Sequence, residues 1–234
     1  MAQAESQIVG YVTKEMAAGK MDIMGVSFQN IGDTSINVQD IIPVSGFGEG
    51  VDLIRVWNPT EKTYTFAYYY SETYADYNYE PDLGAGWADG DQIRSNISID
   101  AGQGFWLTTV QAASMTIAGE VLVATDNKVS TLAGKMDLIC NTFPVETSIQ
   151  DITLVSGFGE GVDLIRVWNP TGKTYTFAYY YSETYANYDY EPDLGAGWAD
   201  GDQIRVNAQI PAGSGFWLTT VSDVVVEFVV PAGI

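Results

Sequence analysis

The chain has 234 residues, 46% of them hydrophobic, and its 30 acidic and 10 basic residues give a net charge of −20 at pH 7. This hydrophobic fraction is typical of a folded protein with sizeable cores and excludes a disordered tail. The negative charge would repel phosphate backbones, which excludes nucleic acid as a partner. Histidine is absent, which excludes Ser-His-Asp and Cys-His catalytic groups and zinc sites that need imidazole.

The single cysteine, Cys140, cannot form an internal disulfide and is interpreted as a small buried residue in an apolar run. No apolar run approaches the roughly 18–20 residues that a membrane-spanning helix needs. The amino-terminal residues lack the basic and hydrophobic parts of a secretory signal. The chain is therefore either intracellular or has lost a leader. The second alternative is favoured, with an extracellular or cell-surface location.

A long internal repeat organises the chain. Residues 45–94 and residues 156–205, which are offset by 111, differ at three of 50 positions. The string TFAYYYSETYA, for example, stands unchanged at residues 65–75 and 176–186. Such identity indicates a recent duplication, or two copies that must present the same surface.

Weaker similarity flanks this block in two motifs, AGKMD and GFWLTTV. They lie at residues 18–22 and 133–137, and at residues 104–110 and 215–221. The sequence therefore predicts two homologous units of about 110 residues. We place the first domain at 1–118 and the second at 119–234.

Strands are predicted along the whole of the first unit. An opening strand covers residues 8–12, and a β-rich run at 51–57 is followed by a turn and a further run at 63–70. The side chains of that run alternate, and one face carries Tyr64, Phe66, Tyr68 and Tyr70.

Two more strands are predicted at residues 93–99 and 105–110, after Asp-Gly and Asp-Ala-Gly turns. No window carries an apolar stripe with the 3.6-residue period of a helix. The predicted fold is all-β, with two tandem, homologous β-sandwich or β-barrel domains.

Three motifs resemble a β module common in secreted bacterial and archaeal proteins. The motifs AGKMDLI, VDLIRVWN and AGSGFWL follow the order of that module, which reads AGWNLI…DxIYxW…PGKGYWI…LTVTG, and SMTIAG lies where its last element falls. The chain differs in having Lys-Met-Asp in place of Trp-Asn, and in its tyrosine-rich insertion. The resemblance implies an extracellular, non-catalytic β module and supplies no catalytic residues.

The tyrosine-rich segments are candidate interaction surfaces, because tyrosine offers large contact area and a polar tip. Their near-identity favours packing between subunits, while core and loop anchoring and an aromatic platform for sugars remain open. The candidate residues are Tyr68, Tyr70, Tyr74, Tyr77, Tyr79 and Trp87 in the first unit and Tyr179, Tyr181, Tyr185, Tyr188, Tyr190 and Trp198 in the second.

Acidic residues close to these segments offer the oxygen ligands that calcium prefers. Their spacing matches no complete EF-hand loop, so plain Asp-Gly turns are the favoured interpretation. A glycosidase pair of carboxylates is the least favoured interpretation. The candidate calcium ligands are Asp82, Asp89 and Asp91 and their copies Asp193, Asp200 and Asp202.

Residues 115–123 are predicted to form one unbroken strand, because apolar residues alternate along it and it contains no proline. Its first half corresponds to residues 226–228 and closes the first unit. Its second half corresponds to residues 10–12 and opens the second unit. The two units are therefore predicted to share this strand, without a flexible linker.

Each terminus carries one half of this joint. Ile8 and Val12 lie in the opening half, and Val226, Phe228 and Val230 lie in the closing half. Two molecules that met end to end would rebuild the joint between chains, a contact that propagates as a filament unless it closes into a ring. The alternative is a two-domain monomer in which both terminal strands pair within their own domains.

The sequence therefore predicts a non-catalytic extracellular structural protein, the subunit of a head-to-tail filament or surface fibre. Its partner would be further copies of itself, and no cofactor is expected beyond the calcium considered above. The alternative is a lectin-like module that binds glycans through its aromatic residues.

Overall fold

A computed structural model describes residues 9–71, 84–123, 125, 127–182 and 195–232. The all-β prediction is confirmed, because small antiparallel sheets make up most of the described chain. Two one-turn 3₁₀ helices, Val38–Asp40 and Ile149–Asp151, lie between strands. No helix among the described residues combines the length and apolar character of a membrane span.

The strands of the two repeats correspond closely. In the first repeat they are β1 (Val9–Met16), β2 (Lys20–Gly25), β3 (Phe28–Gln29), β4 (Ser35–Asn37), β5 (Ile41–Ser45), β6 (Leu53–Asn58), β7 (Thr63–Tyr70), β8 (Gly86–Ala88), β9 (Ser98–Asp100), β10 (Gly104–Thr109) and β11 (Ala113–Val121). In the second they are β12 (Lys128–Thr131), β13 (Lys135–Cys140), β14 (Thr147–Ser148), β15 (Ile152–Leu154), β16 (Leu164–Asn169), β17 (Thr174–Tyr181), β18 (Gly197–Ala199), β19 (Gln209–Ile210), β20 (Gly215–Thr220) and β21 (Val224–Phe228).

Each repeat has a five-stranded sheet, with the order β2-β10-β6-β7-β8 in the first and β13-β20-β16-β17-β18 in the second. Each repeat also has a smaller sheet, here called the terminal-strand sheet. In the first repeat its order is β1-β11-β3, and β5 also pairs with β11. In the second repeat its order is β12-β21-β15. The pairs β4-β9 and β14-β19 complete the two sets.

The hairpin β6–β7 follows the sequence prediction. β7 covers the predicted residues 63–70, and its alternating side chains point to opposite faces of the sheet. The Asn58 side chain closes the turn by accepting hydrogen bonds from the backbone N–H groups of Thr60 and Glu61, both at 3.0 Å. An asparagine at this position therefore fixes the register of the hairpin.

The prediction of a strand at residues 93–99 is wrong for most of that range, since β9 covers Ser98–Asp100. The Asp89 carboxylate accepts hydrogen bonds from the backbone of Asp91 and Ile93, and Gln92 has a positive φ of 63°. These contacts hold the chain in a turn, so that pairing is limited to a bridge at Arg94 before β9 begins at Ser98.

The unbroken strand predicted at residues 115–123 is β11, and all of it pairs within the first repeat. β1 pairs with it from Val9 opposite Glu120 to Met16 opposite Ala113, and β3 pairs with its end at Val121. The strand that opens the second repeat is β12, which pairs with β21. The predicted boundary at 118/119 therefore falls within β11, because its ladder with β1 continues past Gly119.

Each repeat has its own cluster of buried hydrophobic residues, which come from both of its larger sheets. In the first repeat, Met115 and Ile117 of β11 pack with Ile54 of β6 and Phe105 and Leu107 of β10. The second core is built from the corresponding strands. Its members from the two sheets include Val226, Phe228, Ile165, Phe216 and Leu218.

A third cluster joins the two repeats through aromatic side chains. The ring centroids of Trp57, in the first repeat, and Trp217, in the second, are 5.8 Å apart. The ring centroids of Trp106 and Trp168 are 5.6 Å apart, and both pairs meet edge to face. Trp57 Nε1 donates a hydrogen bond to the Met136 carbonyl at 2.6 Å. Trp168 Nε1 donates the corresponding bond back to the first repeat at 2.8 Å.

The backbone repeats this exchange. Gly25 N donates to Gly213 O at 2.9 Å, and Cys140 N donates to Gly102 O at 2.8 Å. Each contact thus occurs twice with the roles of the repeats exchanged, which is the pattern of an isologous, two-fold interface. The repeats are related by a pseudo-two-fold axis and not by a head-to-tail translation.

Gly25 and Cys140 occupy equivalent ends of β2 and β13 and meet beside this axis. A Cβ atom on Gly25 would lie 2.4 Å from Cys140 Cβ and 2.8 Å from its Sγ. The thiol is fully buried, and burial raises its pKa to about 12. Cys140 is therefore a packing residue in the seam between the repeats, as the sequence predicted.

We expect Gly25→Ala to destabilise the protein by about 1–3 kcal/mol, because the added methyl overpacks the seam. In a Cys140→Gly background the same substitution should lower the free energy of unfolding clearly less, because the Cys140 side chain that the methyl would meet is absent. Urea unfolding of the four proteins measures this coupling. Equal costs in both backgrounds would contradict the packing described here.

Candidate binding surfaces and the clefts between the repeats

The terminal residues predicted to join molecules lie mainly inside the second repeat. Val226 and Phe228 are 0% and 1% exposed and belong to its core. β21 is paired on one edge by β12 and on the other by β15, so its backbone has no open edge. Val12 packs against the core of the first repeat, Val230 is half-buried, and Ile8 lies outside the described residues.

The predicted aromatic residues divide into core and surface. Trp87 and Trp198 are 1% and 0% exposed, and their indole N–H groups donate to the carbonyls of Ile41 and Ile152. Trp87 and Trp198 belong to the hydrophobic cores of the first and second repeats. Tyr70 and Tyr181 are buried, and Tyr68 and Tyr179 are half-buried. Tyr74, Tyr77, Tyr79, Tyr185, Tyr188 and Tyr190 lie outside the described residues.

One face of each five-stranded sheet presents an apolar surface beside the interface. We call the first the aromatic face; it consists of Met21, Leu53, Arg55, Phe66, Tyr68 and Thr108. Phe66 is 44% exposed. Arg55 Nη1 donates to Thr108 Oγ1 at 2.9 Å and lies 3.3 Å from Met21 Sδ, so both contacts hold the guanidinium on this face of the sheet.

The second repeat carries the same surface, made of Met136, Leu164, Arg166, Phe177, Tyr179 and Thr219. Its phenylalanine, Phe177, is 50% exposed, and Arg166 donates to Thr219 Oγ1 at 2.6 Å. The molecule therefore displays two copies of one aromatic face. The sequence places Phe66 and Tyr68 on one face of β7, but only the tyrosines were candidate binding residues. The arginines were missed, although the alternation of β6 puts them on the same side.

Two clefts run between the repeats, related by the pseudo-two-fold axis. The first cleft lies between β1 and β2 and the turn at Pro170, and its members include Lys14, Asp22 and Ser214. The second lies between β12 and β13 and the turn at Pro59, and has a volume of about 390 Å³. Asp137 in the second cleft corresponds to Asp22 in the first, since they pair with Leu218 and Leu107.

The two aspartates have different partners. Asp22 lies 3.7 Å from Lys14 Nζ and accepts a hydrogen bond from Ile23 N. Asp137 accepts one from Leu132 N at 3.0 Å and has no ion pair among the described residues. Burial raises the pKa of both carboxyls; Lys14 lowers that of Asp22, and the Leu132 hydrogen bond and Lys135 lower that of Asp137, in each case by less.

The candidate calcium ligands within the described ranges serve as turn residues. Asp89 and Asp200 use their carboxylates to cap backbone N–H groups, and Asp91 and Asp202 donate to them through their own backbone. No group of three or more potential metal ligands occurs within the described ranges. Asp82 and Asp193 fall in the ranges that the structure leaves undescribed.

Comparisons with known proteins found no matching family model, no similar curated protein and no similar solved structure.

We expect Asp137→Asn to gain stability relative to the parent as pH rises from about 4 to 7. The parent carboxyl must ionise in a buried place with a raised pKa, so the parent loses stability above the unfolded value of about 3.9. The amide does not titrate. Urea unfolding at several pH values measures this difference; a constant difference would contradict it.

Asp22→Asn is the matched control in the first cleft. It leaves the Lys14 ammonium without its carboxylate, so at pH 7 it should be about 1–3 kcal/mol less stable than Asp137→Asn. Equal stability of the two variants would show that the ion pair between Lys14 and Asp22 does not stabilise the fold.

Proposed function

We propose that the protein is a non-catalytic extracellular structural protein that assembles with further copies of itself into fibres. The duplicated aromatic face supports this proposal. A molecule with one self-complementary face stops at a dimer, whereas a molecule with two such faces can continue at each end. We further infer that each repeat is a β-sandwich domain, in tandem with its homologue.

The aromatic faces suit such contacts better than the terminal strands do. β21 has both edges paired, so strand addition there would require the second repeat to open. Phe66 and Phe177, in contrast, are about half exposed and lie beside arginines, residue types that are enriched in interfaces. We therefore place the contacts between molecules on these faces, and they need not rebuild the joint within the chain.

The net charge of −20 sets a condition on assembly. Like-charged molecules repel one another at low ionic strength, and the Debye length falls to about 8 Å at roughly 0.15 M salt. Association through apolar faces should therefore increase with salt, in contrast to association through ion pairs.

Substitution of the two phenylalanines tests the proposal. Threonine keeps the strand propensity and removes the apolar ring. By analytical ultracentrifugation and negative-stain microscopy, we expect long assemblies for the parent, dimers for Phe66→Thr or Phe177→Thr alone, and monomers for the double variant. Val44→Thr, in β5, and Val155→Thr, directly after β15, change exposed residues away from the aromatic faces and should leave assembly intact. Uniform monomers of the parent at every salt concentration would contradict the proposal.

Glycan binding is a second candidate, because a half-exposed aromatic ring beside a guanidinium also suits a sugar. On this alternative a glycan array should bind the parent, and the Phe66→Thr/Phe177→Thr variant should bind more weakly. Binding by a protein that stays monomeric would favour this alternative over the fibre.

A further inference from the structure

The two clefts differ at one position, whose side chain determines how much open space each cleft contains. Lys14 of β1 pairs with Met115, and Val129 of β12 pairs with Val226, at equivalent positions of β11 and β21. A lysine in the first repeat thus stands where the second repeat has a valine.

In the first cleft the lysine side chain occupies the space. Its ammonium lies 3.7 Å from the Asp22 carboxylate and donates a hydrogen bond across the interface to Ser214 Oγ. The remaining space forms two small cavities of about 170 and 60 Å³, which share Asp22 and Pro170. The first cleft therefore contains its own alkylammonium group.

In the second cleft this group is missing and the space is open. Val129 ends two carbons beyond its Cα, and the cavity beside it measures about 390 Å³, within the range of roughly 300–1,000 Å³ typical of small-molecule sites. Asp137 lines this cavity and the residue is 6% exposed, and its carboxylate receives one hydrogen bond, from the Leu132 backbone.

The charges of the second cleft also favour a cation. Asp100 lines it at the position where Pro211 lines the first cleft, which adds a second carboxylate. Lys128 reaches the rim but is paired with Glu227 at 3.7 Å. No ion pair holds Asp137 among the described residues, and the attraction of Lys135 is smaller than the effect of burial, so a bound cation would offset the cost that remains.

The walls define the rest of the ligand. Trp57, Pro59 and Leu138 line the cavity together with Val129, and these side chains offer apolar surface to a hydrocarbon stem. Gln103 stands at the position equivalent to Ser214. Its side-chain oxygen accepts a hydrogen bond from Asp100 N at 3.2 Å, and its side-chain nitrogen donates to the Trp57 carbonyl. An amide oxygen has two lone pairs, so it can accept a second hydrogen bond from an ammonium.

We propose that the second cleft is a binding site for a primary alkylammonium group. The ammonium would bind between Asp137 and Gln103, and its alkyl stem would take the place that the Lys14 stem takes in the first cleft. The group can come from a free amine or from a lysine side chain of another chain.

The test uses n-butylammonium as the probe, with binding to the full chain followed by calorimetry and by NMR shifts. We expect one saturable site in the parent, with millimolar affinity, and no comparable binding of n-butanol, which has the same stem without the charge. Asp137→Asn should weaken binding at least about tenfold, because the charged partner is lost.

The two repeats supply matched variants. Val129→Lys should fill the second cleft from within and abolish binding, and Lys14→Val should open the first cleft and add a second site. Retained thermal unfolding transitions verify that both variants fold. If Val129→Lys does not fold, Asp137→Asn and Lys14→Val decide the outcome.

A comparison of n-butylammonium with Nα-acetyl-lysine N-methylamide distinguishes the two sources. Tighter binding of the lysine compound indicates a lysine side chain of a partner, and tighter binding of the amine indicates a free metabolite. The proposal is overturned if neither probe saturates the parent, or if binding is unchanged in Asp137→Asn and Val129→Lys.

Discussion

The two repeats are joined by a reciprocal pair of hydrogen bonds, in which an indole N–H of each repeat donates to a backbone carbonyl of the other. Met21 and Met136, whose carbonyls accept them, lie on β2 and β13, the edge strands of the two five-stranded sheets. An edge strand presents carbonyl groups that its own sheet leaves unpaired, and the indole N–H groups of the half-buried Trp57 and Trp168 use two of them as acceptors. The interface pairs both kinds of group at once, and the two aromatic faces and the two clefts lie where they do because of it.

The local structure could be predicted to a large extent. Alternation fixed β7, and the lack of a break fixed β11, because both patterns depend on neighbouring residues alone. β-propensity predicts a strand at residues 93–99, but the Asp89 carboxylate holds the start of this range in a turn by accepting backbone hydrogen bonds. Propensity describes single residues and takes no account of such a side-chain cap. Trp87 and Trp198 were candidates for a surface because a sequence records that an aromatic residue is present and not which face of the fold it meets.

The relation between the repeats could not be predicted, and this affected the candidate site most. A tandem repeat is compatible with translation or with rotation, and only the pairing of distant residues such as Trp57 and Met136 distinguishes them. The clefts follow from that pairing, since each is walled by both repeats. The AGKMD motif alone does not single out Asp137, because several of its neighbours in space come from the other half of the chain.

Gly25 and Cys140 show what covalent fusion allows. In a dimer of identical chains, a residue beside the symmetry axis meets its own copy, so two cysteines would collide there and two glycines would leave a gap. Joined in one polypeptide, the halves can mutate independently, and a small residue on one side can accommodate a larger one on the other. The same freedom separates Lys14 from Val129, so that in one chain the side chain of one repeat can fill its cleft while the equivalent cleft keeps a larger cavity.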